Sequence, residues 1–593
     1  MSNRLALMQA LEELAPNREQ HEAAVERGHC VVLAGPGSGK TKTLTTAMAR
    51  TLMEDVIEPR GVACITYNNE CATELEERLA KFGVANNDRC FIGTVHSFAL
   101  TQVIAPYARC IAQLLPDNFR VATSSECRTA IDAAYKAVFG NMGNAQDRWR
   151  FAEEKRRRDV DRTLPAWWEK NPELATFIEA YETELRCKAL IDFDDMPLIA
   201  FRMIKEHGWI RDALRARFPS LFIDEYQDLG HALHELVLLL CFEGGTRMFA
   251  VGDADQSIYG FTGANPSLLE SLTTRNDVKT IRLRFNYRSG TRLIQASLGA
   301  LGEDRDYCGV EGAPDGELTY WGVEGNYDIQ ARHIAKVVVP SLLSRGFRSE
   351  QIAILYRAAW LGDKVAEALE EADIAIMRTD GNALVRRNSR LARFVEACSQ
   401  WVTGGWRDAS PSYHRLLSQA LSIVYGGPVS SAEEQAMTRQ LMAFLRSGIN
   451  RNETTHTWLS RFCHELISSW QTISRNSHQE WAVCSEMVTR TDPAQGCDIP
   501  LYVFAGRLDG VGRVNLSTLH SAKGREFDAA ILFGINSTDF PSWRDTQSDR
   551  AMREARRLFY VGVTRSRKEL CLVFEKKNHS PWVSELYRRS QHV

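Results

Sequence analysis

The stretch Cys30-Val31-Val32-Leu33-Ala34-Gly35-Pro36-Gly37-Ser38-Gly39-Lys40-Thr41-Lys42 decides the fold. Its first five residues are apolar and read as a buried strand. A glycine-rich turn follows, and Thr41–Arg50 reads as a helix. Gly35, Gly37 and Gly39 let backbone N–H groups converge on a polyphosphate, which a loop crowded with side chains does less easily. Lys40 is spaced to reach the β- and γ-phosphates and Thr41 to offer its hydroxyl to Mg²⁺. The helix start adds the positive end of its dipole. Ala34 stands where the GxxxxGK[ST] pattern usually opens on glycine. Strand, loop and helix together predict an α/β fold around a nucleoside triphosphate.

A second stretch narrows the class. Arg217-Phe-Pro-Ser-Leu-Phe-Ile-Asp224-Glu225-Tyr-Gln227-Asp228 is an apolar strand ending on adjacent carboxylates. Asp224 is expected to hold Mg²⁺, and Glu225 to orient and deprotonate the attacking water. About 180 residues separate the two halves of the site, an insertion for which a compact kinase or small GTPase has no room. No LSGGQ string of the ABC type occurs.

The chain has 593 residues, 44% of them hydrophobic and 25% charged, which excludes a disordered, collagen-like or disulfide-framework protein. With 72 Lys and Arg against 75 Asp and Glu the net charge is −3, so a surface that coats nucleic acid all round is disfavoured while a local groove is not. The fourteen cysteines include no CxxC pair, which argues against structural zinc and four-cysteine iron–sulfur sites. The longest apolar run, near Leu236–Phe242, is far below the ~18 residues of a membrane span. The N-terminus carries acidic and polar residues where a signal peptide needs an apolar region. A cytoplasmic protein with no membrane partner is expected.

Further short strings, in order along the chain, resemble the superfamily-one DNA helicases of the UvrD/PcrA/Rep type. Pro16-Asn17-Arg-Glu-Gln20 resembles the Q motif. Ile65-Thr66-Tyr67-Asn68-Asn69-Glu70 resembles motif Ia, with Glu70 in place of the family's lysine, and Gly93-Thr94-Val-His96-Ser97-Phe98 resembles the next DNA-contacting motif. The Asp224–Asp228 string is similar to motif II. Val251-Gly-Asp253-Ala-Asp255-Gln256-Ser-Ile-Tyr259-Gly-Phe261-Thr262-Gly263 is similar to motif III, with Phe261 and Thr262 where the family has Trp and Arg. Leu283-Arg-Phe-Asn286-Tyr287-Arg288-Ser289, Ala353-Ile-Leu-Tyr356-Arg357, Thr518-Leu-His520-Ser-Ala-Lys523-Gly524-Arg525-Glu526 and Tyr560-Val-Gly562-Val-Thr564-Arg565 resemble motif IV, the strand motif after it, motif V and motif VI.

The resemblance implies two RecA-like α/β domains with nucleotide between them, each with a mainly helical insertion. The expected division is 1–99 and 189–290 for domain 1A, 100–188 for insertion 1B, 291–384 and 501–593 for domain 2A, and 385–500 for insertion 2B. Short apolar runs at Val31–Ala34, Val62–Thr66, Leu221–Asp224 and Met248–Gly252 fit a parallel sheet. Residues 100–188 lack strands and read as helices such as Thr129–Phe139 and Pro172–Cys187.

By resemblance, Gln20 reads the adenine edge, Tyr287 stacks on the base and Glu526 meets the ribose. Gln256 senses the γ-phosphate, and Arg288 and Arg565 are arginine fingers. Ala34 to Lys42 form the cradle. Tyr67, Asn68, Thr94, His96, Tyr259, Phe261, Tyr356, Arg357, Thr518 and His520 are expected to contact DNA. The implied activity is an ATP- and Mg²⁺-dependent 3′→5′ motor on single-stranded DNA and its junctions with duplex. The alternative is a DNA-stimulated ATPase that serves as sensor or regulatory subunit for a separate nuclease or repair protein. The 28 residues after Arg565 leave room for one strand and one helix, so any cutting is expected to come from a partner. Lys155-Arg156-Arg157-Arg158, followed by Trp167 and Trp168, reads as a solvated helix face or as a contact to phosphate.

Overall fold

A computed structural model describes residues 2–67, 69–84, 89–111, 115–116, 119–122, 124–140, 143–260, 263–380, 384, 389–408, 411–425, 429–449, 453–474, 481–495, 500–505 and 512–590. Its strands, in chain order, are β1 (His29–Ala34), β2 (Val62–Thr66), β3 (Cys90–Thr94), β4 (Arg120–Val121), β5 (Leu190–Ile191), β6 (Ser220–Ile223), β7 (Arg247–Gly252), β8 (Val278–Leu283), β9 (Phe285–Asn286), β10 (Cys308–Gly309), β11 (Glu317–Val323), β12 (Ile352–Tyr356), β13 (Ile376–Arg378), β14 (Val514–Thr518), β15 (Phe527–Phe533) and β16 (Ser566–Glu575).

Two six-stranded parallel sheets organise them. The first runs β3-β2-β6-β7-β1-β8 and the second β11-β16-β15-β12-β14-β13. Every residue of β2, β6 and β12 is buried, as parallel strands covered by helices on both faces require. Alternate residues part to opposite faces. Val31, Ala63, Ile65, Leu221 and Ile223 join one core of the first sheet, while Cys30, Val32, Cys64 and Phe222 join the other. The second sheet divides in the same way, with Ala353 and Leu355 on one side and Ile352, Ile354 and Tyr356 on the other. This is the mixed α/β architecture that the sequence predicts.

Two helical clusters stand apart from the sheets. One is built on Ser124–Phe139, Ala145–Arg158 and Pro172–Cys187 around Trp149, Trp167, Phe177 and Tyr181. The other runs from Arg390 to Ala505 around Phe394, Trp458, Phe462 and Trp470, and takes in Leu501 and Phe504. The expectation that 100–188 lacks strands is corrected by β4, which pairs in parallel with β5. Two residues are too few to leave a hydropathy pattern, and their pairing closes the base of the first helical cluster.

The basic run 155–158 is not a uniformly solvated face: Lys155 and Arg156 are buried, Arg157 is half-buried and Arg158 is exposed. Arg156 is 0% exposed. Its Nε donates to Glu182 at 2.9 Å and its Nη1 to Asp192 at 2.7 Å, and Nη2 also bonds Asp195. Tyr181 donates to Asp192 at 2.7 Å, Arg162 to Glu182 at 2.7 Å, and Arg186 to Asp195 at 2.9 Å. Arg157 bonds Asp194 and Glu153, while Lys155 pairs with Asp159 and lies 4.5 Å from the Trp167 ring centroid. The run therefore ties the helical cluster to the segment that re-enters the first sheet. Arg156→Met would strand three carboxylates without their central cation, and removing one partner of a buried ion pair costs about 3–5 kcal/mol. The expected result is loss of amide hydrogen-exchange protection across 145–187, with the strands of the second sheet still protected.

Candidate nucleotide and nucleic-acid sites

The loop after β1 is shaped by what surrounds it. Gly37 and Gly39 have φ of 68° and 80°, a region side-chain-bearing residues rarely adopt. A Cβ on Gly37 would lie 2.5 Å from Asn286 Oδ1, and one on Gly39 2.4 Å from Gln20 Nε2. Gly35 has the Tyr307 ring against it, 2.6 Å from where its Cβ would be. Asn17 caps the helix Arg18–Val25 by accepting from the Gln20 N–H at 3.0 Å, which aims the Gln20 amide at the Ser38 carbonyl, 2.8 Å away. Asn17 also donates to the Tyr287 hydroxyl at 2.8 Å, and the Tyr287 N–H donates to Gly37 O at 2.8 Å. The Tyr287 ring is half exposed. Ala34 and Pro36 are buried beside the loop, and Ser38 Oγ donates to Gly35 O at 2.7 Å. Lys42 points away and pairs with Glu13 at 2.7 Å.

Asp224 and Glu225 follow β6 directly, so the register of that strand sets them opposite the loop after β1. Lys40 Nζ lies 3.8 Å from Glu225 Oε1. Burial opposes the Glu225 charge, yet Lys40, Lys523 and the Gln227 amide together outweigh it and hold the carboxyl below its ordinary range. Asp224 goes the other way: burial and the neighbouring Glu225 charge raise it, and Lys40 only partly offsets them. A buried carboxylate short of positive charge, with the Thr41 hydroxyl on the facing helix, is an all-oxygen donor set of the kind Mg²⁺ takes alongside phosphate. The residues present fit that ion.

The second half of the chain enters the same site. Arg565 is 1% exposed, and among the described residues no carboxylate lies within ion-pair distance of it. It donates to Gln256 Oε1 at 3.1 Å, Val561 O at 2.8 Å and Arg525 O at 3.2 Å. Burial, with Arg288 close by, lowers its pKa to about 9. A buried guanidinium with no carboxylate in contact, offset only by the more distant Glu526 and Glu225, is suited to an incoming anion. Gln256 in turn donates to Asp253 at 2.6 Å. Arg288 donates to the Thr564 carbonyl at 3.0 Å and pairs with Glu526, which also holds Arg567 at 2.7 Å. Glu526 is thus engaged by two arginines, which hold it at about 2 against the effect of burial.

Lys523 is the residue that sequence reasoning passed over. It lies inside the motif V string, yet only the fold shows that it pairs with Asp228 and donates to the Gln256 carbonyl at 2.5 Å, spanning the two halves. Asp255, doubly bonded by Arg305 at 2.8 Å, is a second such tie.

The candidate DNA residues divide. Tyr67 and Tyr259 come together, ring centroids 4.6 Å apart at 22°, so they stack on each other. The Tyr259 hydroxyl donates to His520 O at 3.2 Å, and Lys523 Nζ lies 5.2 Å from the Tyr259 ring. Burial, Arg357 and Lys523 lower His520 to about 4, so it is neutral at pH 7. Thr518 caps its own turn through Ser521, as Thr94 does for the helix Val95–Phe98. His96 meets the exposed Phe193 edge to face at 5.3 Å.

Two expectations are corrected. Tyr356 is 0% exposed and its hydroxyl is spent on Asp380, because its position on β12 turns it into the core. Arg357 is taken by Asp545 at 2.7 Å and by the Asp539 carbonyl. Tyr356 is therefore closed to DNA, and Arg357, partly exposed, is already engaged within the protein. Asn68 and Phe261 lie outside the described residues, as does Thr262.

The model of the UvrD/REP helicase N-terminal domain matches residues 16–277, and that of the UvrD-like helicase C-terminal domain matches 505–577. The ATP-dependent DNA helicase PcrA of Leuconostoc citreum is 24% identical, with 94% of this chain and 81% of that protein covered. The ATP-dependent DNA helicase Rep of Escherichia coli K12 is 24% identical over 95% of this chain and 91% of its own length. DNA helicase II of Salmonella typhimurium is 25% identical over 97% and 86%. The two domain models together take in more than half of the chain, in the order in which the cleft assembles them, and the chain belongs to the UvrD/Rep helicase family.

Proposed function

We propose that this protein is an ATP-driven DNA helicase that moves 3′→5′ on single-stranded DNA and opens duplex at single-strand/duplex junctions. The observation that carries the reading is Gln256. It is bonded by Asp253 from its own half and by Arg565 and Lys523 from the other, and it stands three residues before Tyr259, whose hydroxyl reaches His520. A change at the γ-phosphate would therefore be felt at the candidate DNA face through one short segment. The names of the relatives, all DNA helicases, support the same activity.

In this reading Lys40 and the loop N–H groups bind the phosphates, and Gln20 and Tyr287 hold the base. The Thr41 hydroxyl and the Asp224 carboxylate would hold Mg²⁺, which neutralises charge on the β- and γ-phosphate oxygens. Glu225 takes the proton of the attacking water, while Arg565 and Arg288 stabilise the charge that develops on the transferring group. Because Arg565 comes from the second motor domain, turnover waits on cleft closure. We assign 1–99 with 189–290, and 291–384 with 501–593, as the two motor domains, and 100–188 and 385–500 as their insertions.

Strand displacement on duplexes with a single-stranded tail tests this. A 3′-tailed substrate is expected to be unwound with ATP and Mg²⁺, and a 5′-tailed one left intact. Unwinding from the 5′ tail alone would overturn the polarity, and DNA-stimulated hydrolysis without unwinding of either would overturn the helicase activity.

A further inference from the structure

Of the three glycines in the loop after β1, Gly37 and Gly39 are required by a left-handed backbone and Gly35 is not. What requires glycine at position 35 is a neighbour. A Cβ there would lie 2.6 Å from both Cε1 and Cζ of Tyr307, closer than packed side chains come. The Tyr307 ring therefore rests on bare backbone at the first residue of the phosphate turn.

The segment that carries this ring is pinned on both sides. It leaves the helix Thr291–Leu301, which packs against the helices Asp549–Val563 and Pro581–Ser590, through Gly302 at φ 79°. Arg305 then forks onto Asp255 with two bonds of 2.8 Å. Asp306 lies 3.1 Å from Arg284 and 3.7 Å from Arg282. The Cys308 N–H donates to the Arg284 carbonyl at 3.1 Å, and Cys308 and Gly309 form β10 beside β9. With residues 305, 306 and 308 fixed in this way, the Tyr307 ring is seated on Gly35. Its hydroxyl makes no hydrogen bond among the described residues, and burial beside Asp253 and Asp255 raises its pKa, so it stays a neutral phenol.

Elsewhere the outer side of the turn is held through its carbonyls. Ser38 Oγ donates to Gly35 O at 2.7 Å, while the Tyr287 N–H donates to Gly37 O and the Gln20 amide to Ser38 O, both at 2.8 Å. Carbonyls engaged on the outside leave the N–H groups to converge on an anion. At the Gly35 end the support is a ring in van der Waals contact.

We infer that Tyr307 is a positioning residue of the phosphate cradle: its ring holds the Gly35–Ser38 turn in the shape that aims N–H groups at the β- and γ-phosphates. The inference rests on the reading of this cleft as the ATP site and adds to it a residue outside the motif strings. It also ties the grip on phosphate to closure. A ring rooted in a helix of the second sheet presses on the loop of the first only while the two halves are together.

The test is steady-state ATPase of the full chain at saturating oligothymidylate, with titration of a fluorescent ATP analogue alongside. Tyr307→Ala is expected to lower kcat/KM for ATP about 10²-fold, the cost of a small misplacement in a reacting assembly, and mostly through KM. Tyr307→Phe keeps the ring and should behave as the unaltered chain does. Gly35→Ala should lose a similar factor, because its methyl meets the ring. In Gly35→Ala/Tyr307→Ala the methyl takes room that the ring has left, so the double variant should be more active than either single one. A residue that merely stabilised the fold would give losses that multiply. If Tyr307→Ala does not fold, Tyr307→Leu, which removes Cε1 and Cζ, carries the same comparison. Unaltered protein that hydrolyses ATP overturns this proposal alone if the losses multiply in the double variant, or if Tyr307→Ala stays within about twofold of it. Unaltered protein that neither binds nor hydrolyses ATP overturns the motor reading and this proposal with it.

Discussion

Glu225→Gln is expected to lower the DNA-stimulated rate of ATP hydrolysis by about 10²–10⁴-fold, the range general-base removal commands, with nucleotide still bound. The side chain is held for one task. Its backbone sits at φ 50° and ψ 47°, a left-handed conformation that costs a non-glycine residue about 1–3 kcal/mol. Its carboxyl is kept ionised by Lys40 and Lys523 in spite of burial. Glutamine has the same shape and can keep the Gln227 contact, but it cannot accept the proton of water. The Lys40 contact to the phosphates does not pass through it. Single-turnover hydrolysis together with fluorescent-nucleotide titration separates the two effects: kcat should collapse while Kd for ADP stays within a few-fold. A variant that hydrolyses ATP normally would remove Glu225 from the site.

Arg565→Ala should cost more, about 10³–10⁵ in kcat, as loss of an arginine finger does. Its position explains why. The guanidinium lies between Gln256, two oxygens of its own segment and the Arg525 carbonyl, and has no carboxylate within ion-pair distance among the described residues. Its charge is therefore not spent on a direct ion pair and would serve the γ-phosphate in the proposed reaction. Arg565→Lys should be nearly as inactive, since an ammonium cannot span Gln256 and the Val561 carbonyl at once. Both variants should bind ADP about as well as the unaltered chain and lose the preference for ATP over ADP. The check is competition binding of a non-hydrolysable ATP analogue against ADP.

How much of this was legible in the sequence depended on distance along the chain. The loop after β1 and the Asp224–Glu225 pair could be read directly, because strand, turn and helix are neighbours and spacing alone fixes their geometry. The buried strands β2 and β7 could be read from unbroken apolar runs. Charge was harder. Arg156 is one cation in a run of four, and nothing local says that Glu182, Asp192 and Asp195 will fold around it 26 to 39 residues later. Arg357 and Tyr356 failed for the same reason: an arginine and a tyrosine at a strand end suit either a ligand or the protein itself, and Asp545 and Asp380 decide which. Lys523 was the converse, an ordinary lysine in sequence whose partners Asp228 and Gln256 lie almost 300 residues away in the other half.

The central claim is that hydrolysis across this cleft drives directional movement on a single strand. Stopped-flow translocation on oligothymidylates of increasing length, with the fluorophore at either the 5′ or the 3′ end, tests it most directly. The account predicts a delay that grows linearly with length when the label is at the 5′ end, no such delay at the 3′ end, and loss of the delay in Arg565→Ala. A signal independent of length at both ends, in protein that binds the strand and hydrolyses ATP, would contradict it.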